Sequence, residues 1–293
     1  MNQWRTESMI KTLLKKAKCH LTQPYGRLRI GFRRITAPMR PLPDFLVIGA
    51  QKAGTTSLYH WLSRHPKVRT SVWKEVHFFD DYNRYQKRGE MWYRSHFPLL
   101  GHRPSVRVGE ATPSYLFNPA APRRVAELIP NVRLIVLLRD PVDRAYSHYN
   151  HTKKAGKENL SFWKAVDKEK ERVGKEITEI KEKGRCKNEK WKKYSYVRRG
   201  YYSEQIKRWT EYFPKKSFLF VKSEDMFESP KKKVEKIIKH IGLNRLRIKC
   251  KGKKNSGSYE KRLDRDKKKK LKLHFEKKNR ELKSITSKNM SWN

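Results

Sequence analysis

Cysteine, acidic residues and long apolar runs are all scarce in this chain of 293 residues. Only three cysteines occur, and such an odd, sparse set argues against a disulfide framework. No apolar run approaches the roughly 20 residues that a membrane-spanning helix needs. The N-terminus carries charge but lacks the apolar core of a secretory signal. We therefore expect a cytoplasmic protein without a membrane span.

The charge of the chain is strongly one-sided. Lysine and arginine number 72 against 29 aspartates and glutamates, so the formal net charge is +43. Such a field favours anionic partners, namely nucleic acid, acidic polysaccharide or anionic lipid, without choosing among them. Residues 1–42 are basic and rich in turn-forming residues, and we interpret them as a partly ordered arm. Residues 43–293 are long enough for one α/β domain with a substantial core.

The stretch at residues 43–62, PDFLVIGAQKAGTTSLYHWL, has the pattern of a strand, a loop and a helix. An apolar run at 45–48 precedes the glycine-containing loop, and Leu58, Trp61 and Leu62 follow it at helical spacing. A loop that opens a helix presents unpaired backbone N–H groups and the positive end of the helix dipole. This stretch is therefore suited to binding a phosphate.

The position of the lysine separates this loop from a nucleotide-triphosphate loop. Gly49 and Gly54 have the spacing of G-x-x-x-x-G, but Thr55 stands where that motif requires lysine. The lysine occurs earlier, as Lys52, and a metal-binding role for the hydroxyls that follow loses support. A simpler interpretation is that the glycines only shape a turn and that Lys52 is solvated.

A carboxylate and an imidazole lie among aromatic residues soon after a second expected strand at 68–71. In the segment K-E-V-H-F-F-D at 74–80 they are Glu75 and His77. A half-buried carboxylate can be tuned to act as a general base. The alternative is an ordinary loop with a surface glutamate and a core histidine. Glu110, further along the chain, is a rival base.

The apolar run at 134–138 predicts a strand that is covered on both faces. It is followed by R-D-P-V-D-R-A-Y-S, in which a helix starting at Pro141 would bring Arg144, Ser147 and His148 to one face. Arg139 and Ser147 could then hold a phosphate beyond the carboxyl end of the strand. The alternative is a helix cap that happens to be rich in arginine and aspartate.

Two later segments carry dense positive charge. Residues 152–195 are interpreted as an exposed helix or mobile insertion with a solvated surface, and no chemistry is assigned to them. A basic, glycine-containing loop at 251–259 can fold over an anionic ligand and shield it from water. An unremarkable linker is the alternative for this loop.

Three of these segments, in this order, resemble motifs of the sulfotransferases that use 3′-phosphoadenosine 5′-phosphosulfate as donor. The K-A-G-T-T run at 52–56 is similar to their phosphosulfate loop. The segment at 74–80 resembles one in the heparan sulfate sulfotransferases, and that at 139–147 resembles the binding segment for the donor's 3′-phosphate. The G-Y-Y run at 200–202 and the loop at 251–259 are weaker matches to the family and its bacterial relatives.

The resemblance extends from about residue 43 to the end and implies an α/β fold with a central parallel sheet flanked by helices. It implies sulfuryl transfer to a hydroxyl or amine of a carbohydrate, without a metal. Glu75 is implied as the base, Lys52 as the cation at the leaving oxygen, and His77 as a residue that orders the site. The residues implied to hold the donor are Gln51, Lys52, Ala53, Gly54, Thr55, Thr56, Ser57, Arg139, Ser147, Tyr202, Asn255, Gly257 and Tyr259.

One departure and two alternative functions qualify this interpretation. Ala111 stands where several heparan-type enzymes have a lysine, which leaves the acceptor open between anionic polysaccharide and other carbohydrates. A nucleotide-triphosphate kinase or hydrolase would need lysine in place of Thr55 and a carboxylate for Mg²⁺, for which Asp140 is the strand-end candidate. A non-catalytic nucleic-acid binder would explain the charge, although no specific nucleic-acid motif is present.

Overall fold

The computed structural model describes residues 30–100, 105–244, 250 and 263–292. Within these residues, five parallel strands form one sheet in the order β2-β3-β1-β4-β5. The strands are β1 (Phe45–Gly49), β2 (Val68–Thr70), β3 (Arg107–Ala111), β4 (Arg133–Leu138) and β5 (Phe218–Lys222). The predicted α/β class with a central parallel sheet is confirmed.

Helices flank the sheet and supply the crossovers that parallel strands require. Those before residue 196 are α1 (Thr55–Leu62), α2 (Gly89–Arg94), α3 (Ala121–Leu128), α4 (Pro141–Lys154), α5 (Phe162–Asp167), α6 (Glu169–Lys183) and α7 (Lys190–Tyr194). Those after it are α8 (Tyr202–Thr210), α9 (Ser223–Glu228), α10 (Pro230–His240), α11 (Arg265–Lys278) and α12 (Leu282–Thr286). Within the described part of the chain, no helix is both long and apolar enough to cross a membrane.

The position of β1 at the centre of the sheet follows from its composition. All five of its residues are buried, as expected for a parallel strand that is covered on both faces. Val47 pairs with Ala111 of β3 on one side and with Ile135 of β4 on the other. The loops that follow these three strands therefore emerge at the same edge of the sheet.

The sequence pattern does not predict β3, and packing explains why it forms. Its five residues include a glycine and a glutamate, so they do not read as an apolar run. Gly109 lies beside Phe45 in the register of β1, and the aromatic ring fills the space that a side chain at 109 would occupy. The apolar cover of β3 at this point thus comes from its neighbouring strand.

The insertion at 152–195 is packed against the domain, so its interpretation as a solvated charge run is wrong for several residues. Three of its glutamates are buried: Glu158, Glu169 and Glu176. The Glu169 carboxylate accepts hydrogen bonds from the backbone N–H groups of Val197 (2.6 Å) and Arg198 (2.8 Å), and Glu176 accepts one from that of Trp191 (2.9 Å). These glutamates replace water at backbone donors that would otherwise be buried without partners.

The two ends of the domain are only partly described. Near the C-terminus, helix α11 buries Leu271 and Phe275. Of the arm predicted at 1–42, residues 1–29 lie outside the described residues. The whole of the basic loop at 251–259, with Asn255, Gly257 and Tyr259, also lies outside them.

The packing of Gly109 against Phe45 yields a stability prediction. In Gly109→Ala the new Cβ would overlap the Phe45 ring, and overpacking of this kind typically costs about 1–3 kcal/mol of unfolding free energy. The matched control is Gly174→Ala within α6, where a Cβ meets nothing within 4 Å. Because alanine favours helix over glycine, we expect that control to stabilise the protein by about 0.5–1 kcal/mol. Urea unfolding measures both, and an equal response of the two variants would contradict the packing account.

Candidate active site

The loops after β1 and β4 are joined directly at the carboxyl edge of the sheet. The guanidinium of Arg139, the residue after β4, donates a hydrogen bond from Nη1 to the carbonyl oxygen of Lys52 at 3.2 Å. On the other side, the backbone N–H of Glu75 donates to the carbonyl oxygen of Ala111 at 3.1 Å. The structure thus brings together three segments that are far apart in the sequence.

The loop between β1 and α1 has the geometry of an anion site. Gly54 precedes the helix in the left-handed region at φ 91°, and a Cβ there would lie 2.8 Å from the Phe227 ring. Because glycine has no side chain, it cannot cap the N–H groups of the first helical turn. Of the three hydroxyl residues in that turn, Thr55 and Ser57 are buried and Thr56 is partly exposed.

Lys52 lies in a strongly positive environment. Its backbone is also in the left-handed region, at φ 71°, so the lysine sits at the crown of the loop. Burial lowers the pKa of the Lys52 ammonium, and the charges of Arg139 and Arg144 lower it further, while the carboxylate of Glu75 opposes them. Beside it, the Oε1 atom of Gln51 is buried and has no hydrogen-bond partner among the described residues. A bound anion would relieve the repulsion between these cations.

The start of α4 positions the second predicted phosphate site. The Asp140 carboxylate caps the helix by accepting a hydrogen bond from the backbone N–H of Asp143 at 2.8 Å. Ser147, two turns into the helix, is 3% exposed. Tyr202 was expected among the donor contacts, but it is buried, and its hydroxyl donates to the carbonyl oxygen of Arg139 at 2.8 Å. This hydrogen bond holds the backbone of Arg139 in place.

Glu75, His77 and Asp80 form a chain of charged groups on the acceptor side. Nδ1 of His77 is 2.9 Å from Oδ2 of Asp80, and its Nε2 is 3.6 Å from Oε2 of Glu75. The Glu75 side chain is 44% exposed, whereas that of Asp80 is fully buried. The Ser114 hydroxyl donates to Oδ2 of Asp80 at 2.5 Å. The three groups thus run from the open cleft into the core.

The pKa values in this chain of groups depend on one another. Burial raises the pKa of Glu75, but the contacts with His77 and with the Lys74 ammonium outweigh it and lower the pKa to about 2. Burial lowers the pKa of His77, but the charge of Asp80 and its hydrogen bond outweigh burial and raise the pKa to about 9. At neutral pH, His77 is therefore an imidazolium between two carboxylates.

Glu110, the rival base, lies in a different environment. It is fully buried in β3, where the side chains of Tyr115 and Thr112 interact with its carboxyl group and partly oppose the effect of burial on its pKa. Burial raises the pKa of Glu110 to about 7, so the side chain is partly protonated at neutral pH. The Glu110 carboxyl is therefore closed off from solvent, whereas the Glu75 carboxylate is exposed.

Asp80 and Ser114 were not among the predicted site residues. Asp80 closes the motif that begins at Lys74, and its spacing of three residues from His77 was a signal for a pair. Ser114 has no comparable signal, because only the tertiary fold brings it to the carboxylate 34 residues away. The described residues contain no cluster of three or more His, Cys, Asp or Glu side chains suited to a metal ion.

Two human enzymes are similar to this chain over about 70% of its length. The human bifunctional heparan sulfate N-deacetylase/N-sulfotransferase 2 is 31% identical over 210 residues, which are 69% of this chain and 22% of that protein. Human heparan sulfate glucosamine 3-O-sulfotransferase 6 is 34% identical over 208 residues, which are 71% of this chain and 54% of that protein. The chain thus spans about a fifth to a half of the length of these relatives.

A solved structure and a family model extend the match over most of the chain. The crystal structure of a sulfotransferase from Alicyclobacillus acidocaldarius superposes with a TM-score of 0.67 and 25% identity, covering 85% of this chain and 98% of that one. The family model of the sulfotransferase domain matches residues 42–290. The resemblance inferred from the three motifs is confirmed, and the chain belongs to the sulfotransferase family.

Proposed function

We propose that this transferase moves a sulfuryl group from 3′-phosphoadenosine 5′-phosphosulfate to a hydroxyl or amine of a carbohydrate. One observation carries the proposal: the Lys52 loop, Arg139 and the exposed carboxylate of Glu75 converge at one edge of the sheet. A cationic loop next to a carboxylate is the arrangement needed to hold an anionic donor and deprotonate an acceptor.

The residues of the donor side fit a nucleotide with two phosphate positions. The first turn of α1 has no side-chain cap, so its N–H groups are available to a 5′-phosphate together with Lys52. Arg139 and Ser147 would hold the 3′-phosphate at the start of α4. When bound, the donor supplies an activated sulfuryl group, whose transfer breaks its S–O bond to the 5′-phosphate. Lys52 would balance the charge that grows on that oxygen.

The residues on the acceptor side would remove the proton of the acceptor group. Glu75 is ionised at neutral pH because its pKa lies near 2, and it can take the acceptor's proton as the new bond to sulfur forms. His77 would not be the base, because its raised pKa keeps it protonated. We assign His77 the role of orienting the Glu75 carboxylate, with Asp80 and Ser114 fixing the imidazole in turn.

Two observations favour a carbohydrate acceptor of anionic character. The relatives named above carry heparan sulfate in their names, and the last turn of α6 packs beside the acceptor segment here. In that contact, Arg124 donates from Nη2 to the carbonyl oxygen of Gly184 (2.5 Å), and Arg185 lies over the Tyr82 ring (5.3 Å). The positive charge of the nearby Lys192 also acts on His77. Arg185 and Lys192 thus add positive charge beside the segment around Glu75, which suits an acidic polysaccharide.

The two alternative functions have less support. A kinase or hydrolase of nucleotide triphosphates would require the lysine that Thr55 replaces. Nucleic-acid binding would not explain the linked charged groups of Glu75, His77 and Asp80. The comparisons do not favour either alternative. Calorimetry with adenosine 3′,5′-bisphosphate, ATP–Mg²⁺ and duplex DNA at matched salt distinguishes all three.

The test uses labelled donor, a panel of glycans and the full chain in the presence of EDTA. We expect label to enter an acidic glycan, and Glu75→Gln to lower kcat by about 10²–10⁴-fold, the usual worth of a general base. The amide is nearly isosteric, so affinity for adenosine 3′,5′-bisphosphate should stay unchanged.

Glu110→Gln is the matched control and should retain activity, because that carboxyl is buried. Near wild-type turnover in Glu75→Gln, with collapse in Glu110→Gln, would overturn the assignment. No transfer to any glycan would count against the proposed acceptor class.

The second prediction separates the two phosphate positions by calorimetry. Arg139→Ala should weaken adenosine 3′,5′-bisphosphate binding by about 10–100-fold, since a hydrogen bond to a charged group is worth roughly 1.5–3 kcal/mol. Ser147→Ala should have a smaller effect in the same direction. Adenosine 5′-monophosphate lacks the 3′-phosphate and should lose little in either variant. Arg123→Ala on the surface of α3 is the control, and it should change neither affinity. If both nucleotides weaken alike, Arg139 and Ser147 do not bind the 3′-phosphate.

A further inference from the structure

The segment at residues 30–40 presents an apolar face to solvent. Its side chains Phe32, Ile35 and Met39 are 79%, 75% and 70% exposed. Residues 30–33 are helical, a turn follows, and Ala37–Met39 form a 3₁₀ turn, so the three exposed side chains lie within eight residues of one another. We call Phe32, Ile35 and Met39 the apolar patch. A surface helix ordinarily turns such a face toward the core.

The opposite face of this segment points inward and is held by arginines. Arg33 donates from Nε to the carbonyl oxygen of Ser95 at 2.6 Å, and Arg40 donates from Nη1 to that of Phe97 at 2.7 Å. In return, Arg94 donates from Nη1 to the carbonyl oxygen of Arg40 at 2.5 Å. These bonds satisfy carbonyls at the end of α2 and fix the segment on the domain. The exposure of the apolar patch is therefore a consequence of the segment's anchoring.

Other exposed apolar side chains lie near the same anchor. Met91 is 38% exposed and one turn before Ser95, and Leu99 is 48% exposed and two residues after Phe97. Thus five of the eight large apolar side chains exposed in the described residues belong to this region. Such a concentration marks an interaction surface, because single exposed apolar residues are normally scattered.

The charge around the apolar patch is almost entirely positive. Residues 30–40 and 87–99 contain a single carboxylate, Glu90. Against it stand six cationic residues: Arg33, Arg34, Arg40, Lys87, Arg88 and Arg94. Arg34 is exposed between the members of the apolar patch. Apolar side chains among arginines complement a surface in which anionic groups lie over an apolar layer.

We propose that the apolar patch docks on an anionic lipid bilayer. Phe32, Ile35 and Met39 would enter the boundary between headgroups and acyl chains, while the exposed Arg34, Lys87 and Arg88 pair with lipid phosphates. Three side chains on one short segment are too few for a stable protein interface, which needs at least about 1,000 Å² of buried surface. The segment is already fixed by its arginines, so insertion orders little further chain.

The test is co-sedimentation of the full chain with lipid vesicles at physiological salt. We expect binding to vesicles of phosphatidylcholine mixed with phosphatidylserine, and much weaker binding to pure phosphatidylcholine. The variant Phe32→Ser/Ile35→Ser/Met39→Ser should bind the mixed vesicles at least about tenfold more weakly, because its apolar contribution is lost. The control Tyr212→Ser/Leu273→Ser removes exposed apolar groups elsewhere and should bind like the unmodified chain. An unchanged thermal midpoint shows that each variant is folded.

Several outcomes would overturn the proposal. Equal binding of the unmodified chain to both vesicle types would show that charge at the patch plays no part, and binding to neither would show that the patch does not dock on lipid. Equal binding by the triple variant would show that the positive charge of the whole protein is sufficient. If instead the unmodified chain is a dimer, the triple variant a monomer and vesicle binding unaltered, the apolar patch is a contact between copies of this chain. Sulfuryl transfer to a soluble acceptor should be the same in all variants, so this test is independent of the proposed reaction.

Discussion

Mutual repulsion among Lys52, Arg139 and Arg144 is the interaction on which the donor side of the site depends. Burial and the two guanidinium groups lower the pKa of Lys52, so the folded protein holds this ammonium where its charge is disfavoured. The parallel pairing of β1 with β4 imposes that proximity, and the bond from Arg139 to the Lys52 carbonyl maintains it. A doubly phosphorylated anion would be attracted by these cations, and its negative charge would offset their mutual repulsion.

The acceptor side depends on charges of alternating sign. Asp80 is buried, and its negative charge is compensated by His77, whose ring in turn contacts Glu75. The arrangement leaves one carboxylate exposed and ionised at the mouth of the cleft, while Glu110 is kept out of reach in the sheet. Position and burial, rather than residue type, therefore distinguish the two glutamates. The Tyr202 hydroxyl holds the backbone of Arg139 on the donor side by donating to its carbonyl oxygen.

Much of this architecture could be predicted from the sequence because its signals are local. The strand, loop and helix around Lys52 depend on neighbouring residues, and so does the helix that starts at Pro141. The rest depends on partners far along the chain. The strand β3 is covered by the ring of Phe45, and Glu169 is buried because its hydrogen-bond donors lie at 197 and 198. The sequence pattern within one segment does not reveal such distant partners.

If the Lys52 cation acts mainly when the bond to the leaving oxygen breaks, Lys52→Ala should impair turnover far more than binding. The measurement compares kcat for labelled sulfuryl transfer with the calorimetric Kd for adenosine 3′,5′-bisphosphate. We expect a fall in kcat of at least about 10²-fold, as for other groups that stabilise developing charge, with a much smaller loss of product affinity. The exposed Lys67→Ala is the control and should change neither quantity. Equal losses in kcat and affinity would show instead that Lys52 only binds the donor.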